Sequence, residues 1–227
     1  MYYDLHIHSC LSPCGDSDMT VNNIVNMAIL KGLGLIALTD HNSAKNCPAF
    51  LKAAERAGIR ALPGMEINTS EEIHAVCLFR ALEDALAFDR HVYERLPEIQ
   101  NRPDIFGEQQ ICDDEDRIVG TVPKLLINAA DISFSDLDSL METFGGIYFP
   151  SHIDRSSYSL LANLGFVPEE SRFPAFELYE MGRYAEIVAQ NPGLALLPCV
   201  HNSDAHYLWD IAEAENELDE RLAELLL

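Results

Sequence analysis

The pentapeptide Asp4-Leu5-His6-Ile7-His8 sets two imidazoles two positions apart. In a strand, positions i and i+2 share a face, so His6 and His8 project together and can hold one divalent cation as neutral ligands. The competing reading is two polar residues on the wet face of an edge strand. More ionisable residues follow at the ends of later apolar runs. His41 follows Leu35–Leu38, Glu66 follows Ile59–Ala61 and Pro63-Gly64-Met65, His152 closes the run from Ile147, and Asp204 and His206 follow Leu194–Val200. His74 instead opens its run, which extends to Phe79. One histidine at a strand end is usually structural. Here six of the eight histidines occupy such places beside carboxylates, and that clustering favours a metal centre. His91, in the middle of a helical pattern, and His201 stay outside the set.

The elements that must position these groups alternate between apolar strands and amphipathic helices, which reads as α/β. Thr20 stands where it can cap a helix containing Val21, Ile24, Val25, Ala28 and Ile29, with Gly32 and Gly34 as stops. Pro48 opens a second helix that Gly58 ends. Helices are also expected from Leu82 to about Leu96, from Ser133 to Phe144, and around Leu218, Leu222, Leu225 and Leu226. Strands are expected at His74–Phe79, Ile147–His152, Ala175–Leu178 and Leu194–Val200. Residues 101–124 break the alternation and read as an insertion, a hairpin or loop over one end of a single domain spanning 1–227. Its run Cys112-Asp113-Asp114-Glu115-Asp116 lacks the spacing and central glycine of a calcium loop, so a solvated turn is the better reading.

The chain has 227 residues, 48% of them apolar, and is long enough to bury a substantial core. No apolar run approaches a membrane span, and the N-terminus lacks the pattern of a signal peptide, so a cytoplasmic location is expected. Six cysteines in a chain of this length do not describe a disulfide scaffold. Cys10 and Cys14 lie close to the histidine pair and read either as soft metal ligands or, preferably, as reduced thiols in and around a core. The net charge of −22 and the absence of a basic stripe argue against a polyanionic partner and for a small anion at a local cationic site.

Taken in order, Asp4-Leu5-His6-Ile7-His8, Thr39-Asp40-His41-Asn42, Pro63-Gly64-Met65-Glu66, Ser151-His152-Ile153-Asp154-Arg155 and Asn202-Ser203-Asp204-Ala205-His206 resemble the motifs of the polymerase-and-histidinol-phosphatase (PHP) superfamily. Each motif alone is weak; their order across residues 4–206 is specific. The resemblance implies a distorted (β/α)7 barrel with two or three divalent metals at the strand ends. It implies that His6, His8 and Asp204 bind a first metal, that Glu66 bridges it to a second completed by His74 and His152, and that Asp16, His41 and His206 hold a third. Asp16 is placed by counting back from Thr20, in a loop longer than in many relatives, which have histidine there; Asp18 is its rival. Arg155 matches a basic position of the motif and is expected to bind phosphate. Asp40 and Asp4 are candidates to orient imidazoles.

Mixed imidazole and carboxylate ligands suit zinc, manganese or iron. Their excess positive charge would attract phosphate, and no glycine-rich nucleotide loop is present. The expected chemistry is hydrolysis of a small phosphorylated metabolite or nucleotide by a metal-activated hydroxide. Asp204 and Arg155 are the candidate catalytic residues, and Asp204 or a bound water is a candidate leaving-group acid. The rival functions are a metal-stabilised module without turnover and, further behind, a nuclease, for which a basic track is missing. Amide hydrolysis in a similar barrel usually brings a lysine that bridges the metals, and none is suitably placed.

Overall fold

The computed structural model describes all 227 residues. The apolar runs form β1 (Tyr3–Ile7), β2 (Leu35–Leu38), β3 (Arg60–Asn68), β4 (His74–Phe79), β7 (Gly146–Pro150), β8 (Phe176–Glu177) and β9 (Cys199–Val200). A hairpin of β5 (Gln110–Cys112) and β6 (Ile118–Thr121) stands apart from them. The helices are α1 (Val21–Leu30), α2 (Cys47–Ala57), α3 (Leu82–Tyr93), α4 (Pro103–Phe106), α5 (Leu137–Phe144), α6 (Leu160–Leu164), α7 (Tyr184–Gln190) and α8 (Glu220–Leu226). Gly58 and Gly145 end α2 and α5 in the left-handed conformation that favours glycine. The expected strand from Leu194 is mostly absent: Pro192–Leu196 is a 3-10 turn that leaves Leu196 exposed, and only Cys199–Val200 pairs. Pro192, Gly193 and Pro198 explain the shortening, because prolines cannot donate to a ladder and glycine weakens a strand.

The main sheet has the order β1-β2-β3-β4-β7, and β8 and β9 form a separate parallel pair. The two sheets meet where Ile153 N donates to Glu177 O (2.9 Å) and where His8 N donates to Ala205 O (3.0 Å). The fold is mixed α/β, but no continuous closed sheet is formed. β4 also runs antiparallel to both β3 and β7, unlike every strand of a regular (β/α) barrel. The link Thr69–Ile73 is a tight turn closed by Thr69 N to Ile73 O (3.0 Å). A parallel return needs a crossover of a dozen or more residues, so a turn this short dictates the reversal. The start of β4 therefore lies beside the ends of its parallel neighbours, and His74 joins the other histidines.

Side chains separate into two apolar layers. Tyr3, Leu5, Leu35, Ala37, Leu62, Val76, Leu78, Phe149, Ala175 and Val200 form an inner cluster between the strands, with Leu222 and Leu226 of α8 packed against it. Ile7, Ile36, Leu38, Met65 and Ile67 belong to the larger cluster beneath the helices. The change of layer within β1 has a backbone cause. Tyr3 and Asp4 pair with Leu35 and Ile36, but Ile7 pairs with Leu38, so β1 accommodates one extra residue. A bulge resets the alternation of faces, which sends Ile7 to the helical layer and turns His6 and His8 inward above the inner cluster.

Residues 101–124 contain α4 and the β5–β6 hairpin. The hairpin is tied to the loop after β1 by Gln110 N to Cys10 O (3.0 Å) and to α2 by Cys112 N to Asn46 Oδ1 (2.9 Å). Its acidic turn is spent on pairing: Asp113 with Arg117, Asp114 with Arg56, and Asp116 with the amides of Asn22 at the start of α1. No helix is long and apolar enough to cross a membrane.

The close approach of β3 to β4 gives a direct test. A Cβ at Gly64 would lie 2.6 Å from Cys77 O and 2.9 Å from Leu78 Cδ2. Gly64→Ala is expected to lower stability by about 1–3 kcal/mol, read as a lower urea midpoint.

Candidate metal centre

Glu66 is fully buried on β3, and its carboxylate is surrounded by imidazoles rather than water. Oε1 lies 3.2 Å from His6 Nε2, 3.1 Å from His74 Nδ1 and 3.3 Å from His152 Nε2. Oε2 lies 3.0 Å from His41 Nδ1 and 3.5 Å from His8 Nε2. Asp204 Oδ1 completes the inner end, 3.4 Å from His6 Nε2 and 3.2 Å from His8 Nε2. Rings of His8 and His206 stack at 4.3 Å, and those of His8 and His41 approach to 4.4 Å. Thus eight of the nine expected ligands converge: His6, His8, His41, Glu66, His74, His152, Asp204 and His206.

Asp16 is the exception. Its Oδ1 accepts the Asp18 amide (2.8 Å), and its own amide donates to His206 O (2.9 Å). It fastens the loop against the last strand's extension and joins none of the donor clusters. Cys14, two residues earlier in the same loop, is exposed and also stands outside the three donor clusters. The loop is compact there: Ser12 N donates to Ser9 O, Gly15 N donates to Ser12 O, and a Cβ at Gly15 would come within 2.2 Å of Ser9 O.

The donor atoms fit a cation. His6 Nε2, His8 Nε2, His41 Nδ1 and both oxygens of Glu66 are buried without a hydrogen-bond partner, and such orphaned groups are costly and rare in proteins. The 3.2–3.5 Å separations among His6, His8, Glu66 and Asp204 exceed a charge-assisted hydrogen bond. They match the edge of a tetrahedron with ~2.0–2.1 Å bonds, roughly 3.3 Å. Three donor clusters are compact enough for an ion: His6, His8, Glu66 and Asp204; His41, Glu66 and His74; and His8, His41 and His206.

Charges in the cluster are strongly coupled. Burial would push the Glu66 carboxyl up, but the imidazoles of His74, His6 and His41 outweigh it and hold the carboxyl well below its usual range. Asp204 is likewise held low, with His6 and His8 overcoming its burial. Burial, with His206 and His41 adjacent, drives His8 well below the ordinary imidazole value, so its ring is kept neutral, the form a metal requires. Burial opposes ionisation of Cys14, but His41 and His206 prevail and bring its thiol down to about 6.

The groups that orient the imidazoles differ in part from those expected. His6 Nδ1 donates to Glu177 Oε2 (3.0 Å), and Glu177 also accepts from His152 N (2.9 Å) and Asn202 Nδ2 (2.7 Å). His8 Nδ1 meets Ser12 Oγ (3.0 Å), whose hydroxyl donates to Asp40 Oδ1 (2.7 Å). Asp40 therefore acts on His8 through Ser12 and does not touch the His41 ring. Asp4 accepts from Ser203 Oγ (2.6 Å) and Ala212 N (3.0 Å) and contacts the His6 backbone, not its imidazole. The sequence signal for Glu177 was present but weak: a lone carboxylate in the apolar run Ala175–Leu178.

A cleft of about 170 Å³ opens over the cluster, lined by His41, Glu66, His74, His152, Asp204 and His206 together with Ile127, Arg155, Ser157 and Tyr158. Arg155 donates to Asp204 Oδ2 (2.7 Å), and its guanidinium lies 4.3 Å from the centre of the Tyr179 ring. Asn42, His152, Tyr158 and Asp204 have left-handed backbones at φ of 49°, 30°, 52° and 50°. Strain of this kind costs of order 1–3 kcal/mol per residue and gathers at functional sites.

A family model described as "PHP domain" matches residues 4–143, and the chain belongs to that family. Among curated relatives, a 5'-3' exoribonuclease of Salmonella typhimurium is 36% identical over 81 residues, which is 34% of this chain and 27% of the relative. A 3',5'-nucleoside bisphosphate phosphatase of Chromobacterium violaceum is 36% identical over 73 residues, 32% of this chain and 25% of that protein. These matches span about a quarter of each relative's length. Among solved structures, a putative metal-dependent phosphoesterase from Bifidobacterium adolescentis superposes with a TM-score of 0.68 at 18% identity, covering 99% of this chain and 95% of that one. The lesion-specific endonuclease PfuEndoQ from Pyrococcus furiosus gives 0.63 at 19% identity, covering 91% of this chain and 48% of that one. At these identities the superpositions establish the fold.

Glu177 provides the test of this geometry. Removing an outer hydrogen-bond partner of a ligand typically weakens metal binding about 10–100-fold. Glu177→Gln should do so in competition with a chromophoric chelator; unchanged affinity would show that the His6–Glu177 bond does not set the ligand.

Proposed function

We propose that residues 1–227 form one PHP-type domain in which β1–β4 and β7–β9 make a distorted seven-stranded barrel, with residues 101–124 inserted at one end. We further propose that it is a metal-dependent phosphoesterase acting on a small phosphorylated metabolite or nucleotide. The observation that supports this most is the set of buried, unpartnered donor atoms around Glu66 at the floor of a cleft that also contains Arg155.

His6, His8, Glu66 and Asp204 would hold a first divalent ion; Glu66, His74 and His152 a second; and His41 and His206, with His8 beside them, a third. When bound, zinc, manganese or iron there supplies Lewis-acid charge and lowers the pKa of water to about 7. Glu177 and Ser12 fix the rings of His6 and His8, so each ring presents Nε2 to the cluster. Arg155, pinned by Asp204 and backed by Tyr179, presents its guanidinium at the cleft, where it can pair with two oxygens of a phosphoryl group. Tyr158 packs 4.9 Å from His74 and walls the cleft. The cleft's small volume suits a phosphoryl group and leaves the rest of the substrate outside.

That geometry also accommodates the terminal phosphate of a longer chain. The expectation that nucleic acid is excluded is not supported, since relatives carry names that include an exoribonuclease and DNA polymerases. Net charge alone is a poor guide when the contact is confined to one phosphate at a cationic pocket. A metal-stabilised module without turnover is the remaining alternative.

A panel of sugar phosphates, nucleoside mono- and bisphosphates and a short 5'-phosphorylated RNA separates these readings. Chelation should abolish hydrolysis, and manganese, iron or zinc should restore it. His152→Ala should lower kcat/KM at least about 100-fold while the protein remains folded by circular dichroism. Metal-loaded protein that is inert on the whole panel would leave the non-catalytic module. Arg155→Ala should raise KM by about 10–100-fold, the equivalent of losing charged hydrogen bonds to phosphate, with a smaller effect on kcat.

A further inference from the structure

We propose that Ile127, held at the mouth of the cleft by the segment that follows the insertion, selects the leaving group. It favours phosphate esters that present an apolar face beside the phosphoryl group over esters of polyols. The inference rests on the phosphoesterase reading above and names the substrate chemistry which that reading leaves open.

The lining of the cleft divides by chemistry. Six of its ten residues belong to the metal centre, and a seventh is Arg155. The other three are Ile127, Ser157 and Tyr158. Ile127 is half-buried and the other two are exposed, so all three stand where the cleft opens to solvent. The atoms that join a phosphoryl group to the rest of its substrate must pass them. There they meet one aliphatic side chain, one aromatic ring and a single hydroxyl. A polyol would strand hydroxyls without partners, which is costly. An alkyl or aryl group would instead bury apolar surface.

Ile127 does not serve the core. Its neighbour Leu126 lies in the larger apolar cluster, whereas Ile127 packs with neither cluster. The backbone around it is nevertheless fixed by buried side chains. Asn42 Nδ2 donates to Leu126 O (2.7 Å) and Asn128 O (2.9 Å), and Asn68 Nδ2 donates to Ile127 O (3.0 Å). Asn68 N donates in turn to Asn42 Oδ1 (3.0 Å), so the two asparagines brace each other. Asn42 follows the ligand His41, and Asn68 ends the strand that carries Glu66. Three successive carbonyls are thus tied to the residues that build the metal centre. The insertion supplies a further anchor. Gln109 Oε1 accepts from Leu126 N (2.9 Å), and its Nε2 donates to Val122 O (2.7 Å) and Lys124 O (2.8 Å). Gln109 is buried, with a left-handed backbone at φ 48°. The insertion therefore shapes the cleft without contributing a ligand. A wall fixed at so many points holds its place against a substrate, and its side chain can discriminate.

The test compares two primary alkyl phosphates, 2-phenylethyl phosphate and glycerol 1-phosphate, on the metal-loaded full chain. Wild type should favour the phenylethyl ester in kcat/KM. Ile127→Asn should lower that preference about 10-fold, and Ile127→Leu should keep it. Gln109→Ala, which frees the segment, should lower it in the same direction with metal content unchanged. Loss of fold or of metal slows both esters alike and leaves their ratio intact, so the ratio reports discrimination alone. Should another phosphate ester be turned over and these two not, their inhibition constants against it give the same ratio. The proposal is overturned, with the phosphoesterase reading intact, if wild type favours the glycerol ester, or if Ile127→Asn or Gln109→Ala leaves the ratio unchanged. Metal-loaded protein that hydrolyses no phosphate ester overturns that reading and this proposal with it.

Discussion

A carboxylate buried among imidazoles governs this structure. Glu66 is removed from water, and neither of its oxygens has a hydrogen-bond donor of ordinary geometry. A buried charge without compensation costs several kcal/mol, so the surrounding chain is arranged to supply positive charge. His6, His8, His41, His74 and His152 all approach it, from four strands or their extensions. The same requirement explains the depressed Glu66 and Asp204 carboxyls, whereas burial and the neighbouring His206 and His41 keep His8 neutral against the pull of Glu66. It also explains why most of the orphaned atoms belong to this one cluster.

The scaffold serves that point through apolar packing beneath it. Inner side chains from the strands fill the space below the cluster, and α8 packs against them with Leu222 and Leu226. That packing is rigid because interiors are close-packed, and it gives the ligands a fixed floor. Above the floor the chain is strained: Asn42, His152, Tyr158 and Asp204 all sit in left-handed conformations. A rigid base can sustain strain of this kind, and its location at the cleft matches the place where geometry matters most. Outer hydrogen bonds from Glu177 and from the Ser12–Asp40 pair then fix ring orientation, which packing alone leaves free.

The insertion bears on the same site from one side. Its hairpin binds the loop after β1, which contains Ser12 and Cys14, through Gln110 and Asn46. Its acidic turn is held by Arg56, Arg117 and the start of α1. The loop that supplies Ser12 to the His8 ring thus rests against a segment that carries none of the motif residues.

Sequence by itself determined the residue types and most of their spacing. Paired histidines in a short strand, a histidine or carboxylate at one end of most later apolar runs, and the order of the motifs identified eight side chains that do converge. Helical periodicity located α1, α2, α3 and α5 closely, because each buries a continuous stripe. The rest depended on information that local pattern does not contain. That His6 and His8 face inward follows from one extra residue in β1, whose effect exists only relative to its pairing with β2. The place of His74 follows from the reversal of β4, although the five residues between Asn68 and His74 were a readable sign that no crossover fits. That Asp16 is engaged with the Asp18 amide and lies outside the donor clusters could not be told by counting, since a loop's course is set by its turns and by what it packs on. Glu177 acts at a distance of 171 residues from His6. Such a pairing is decided by the meeting of two sheets in space, and only the tertiary structure brings them together.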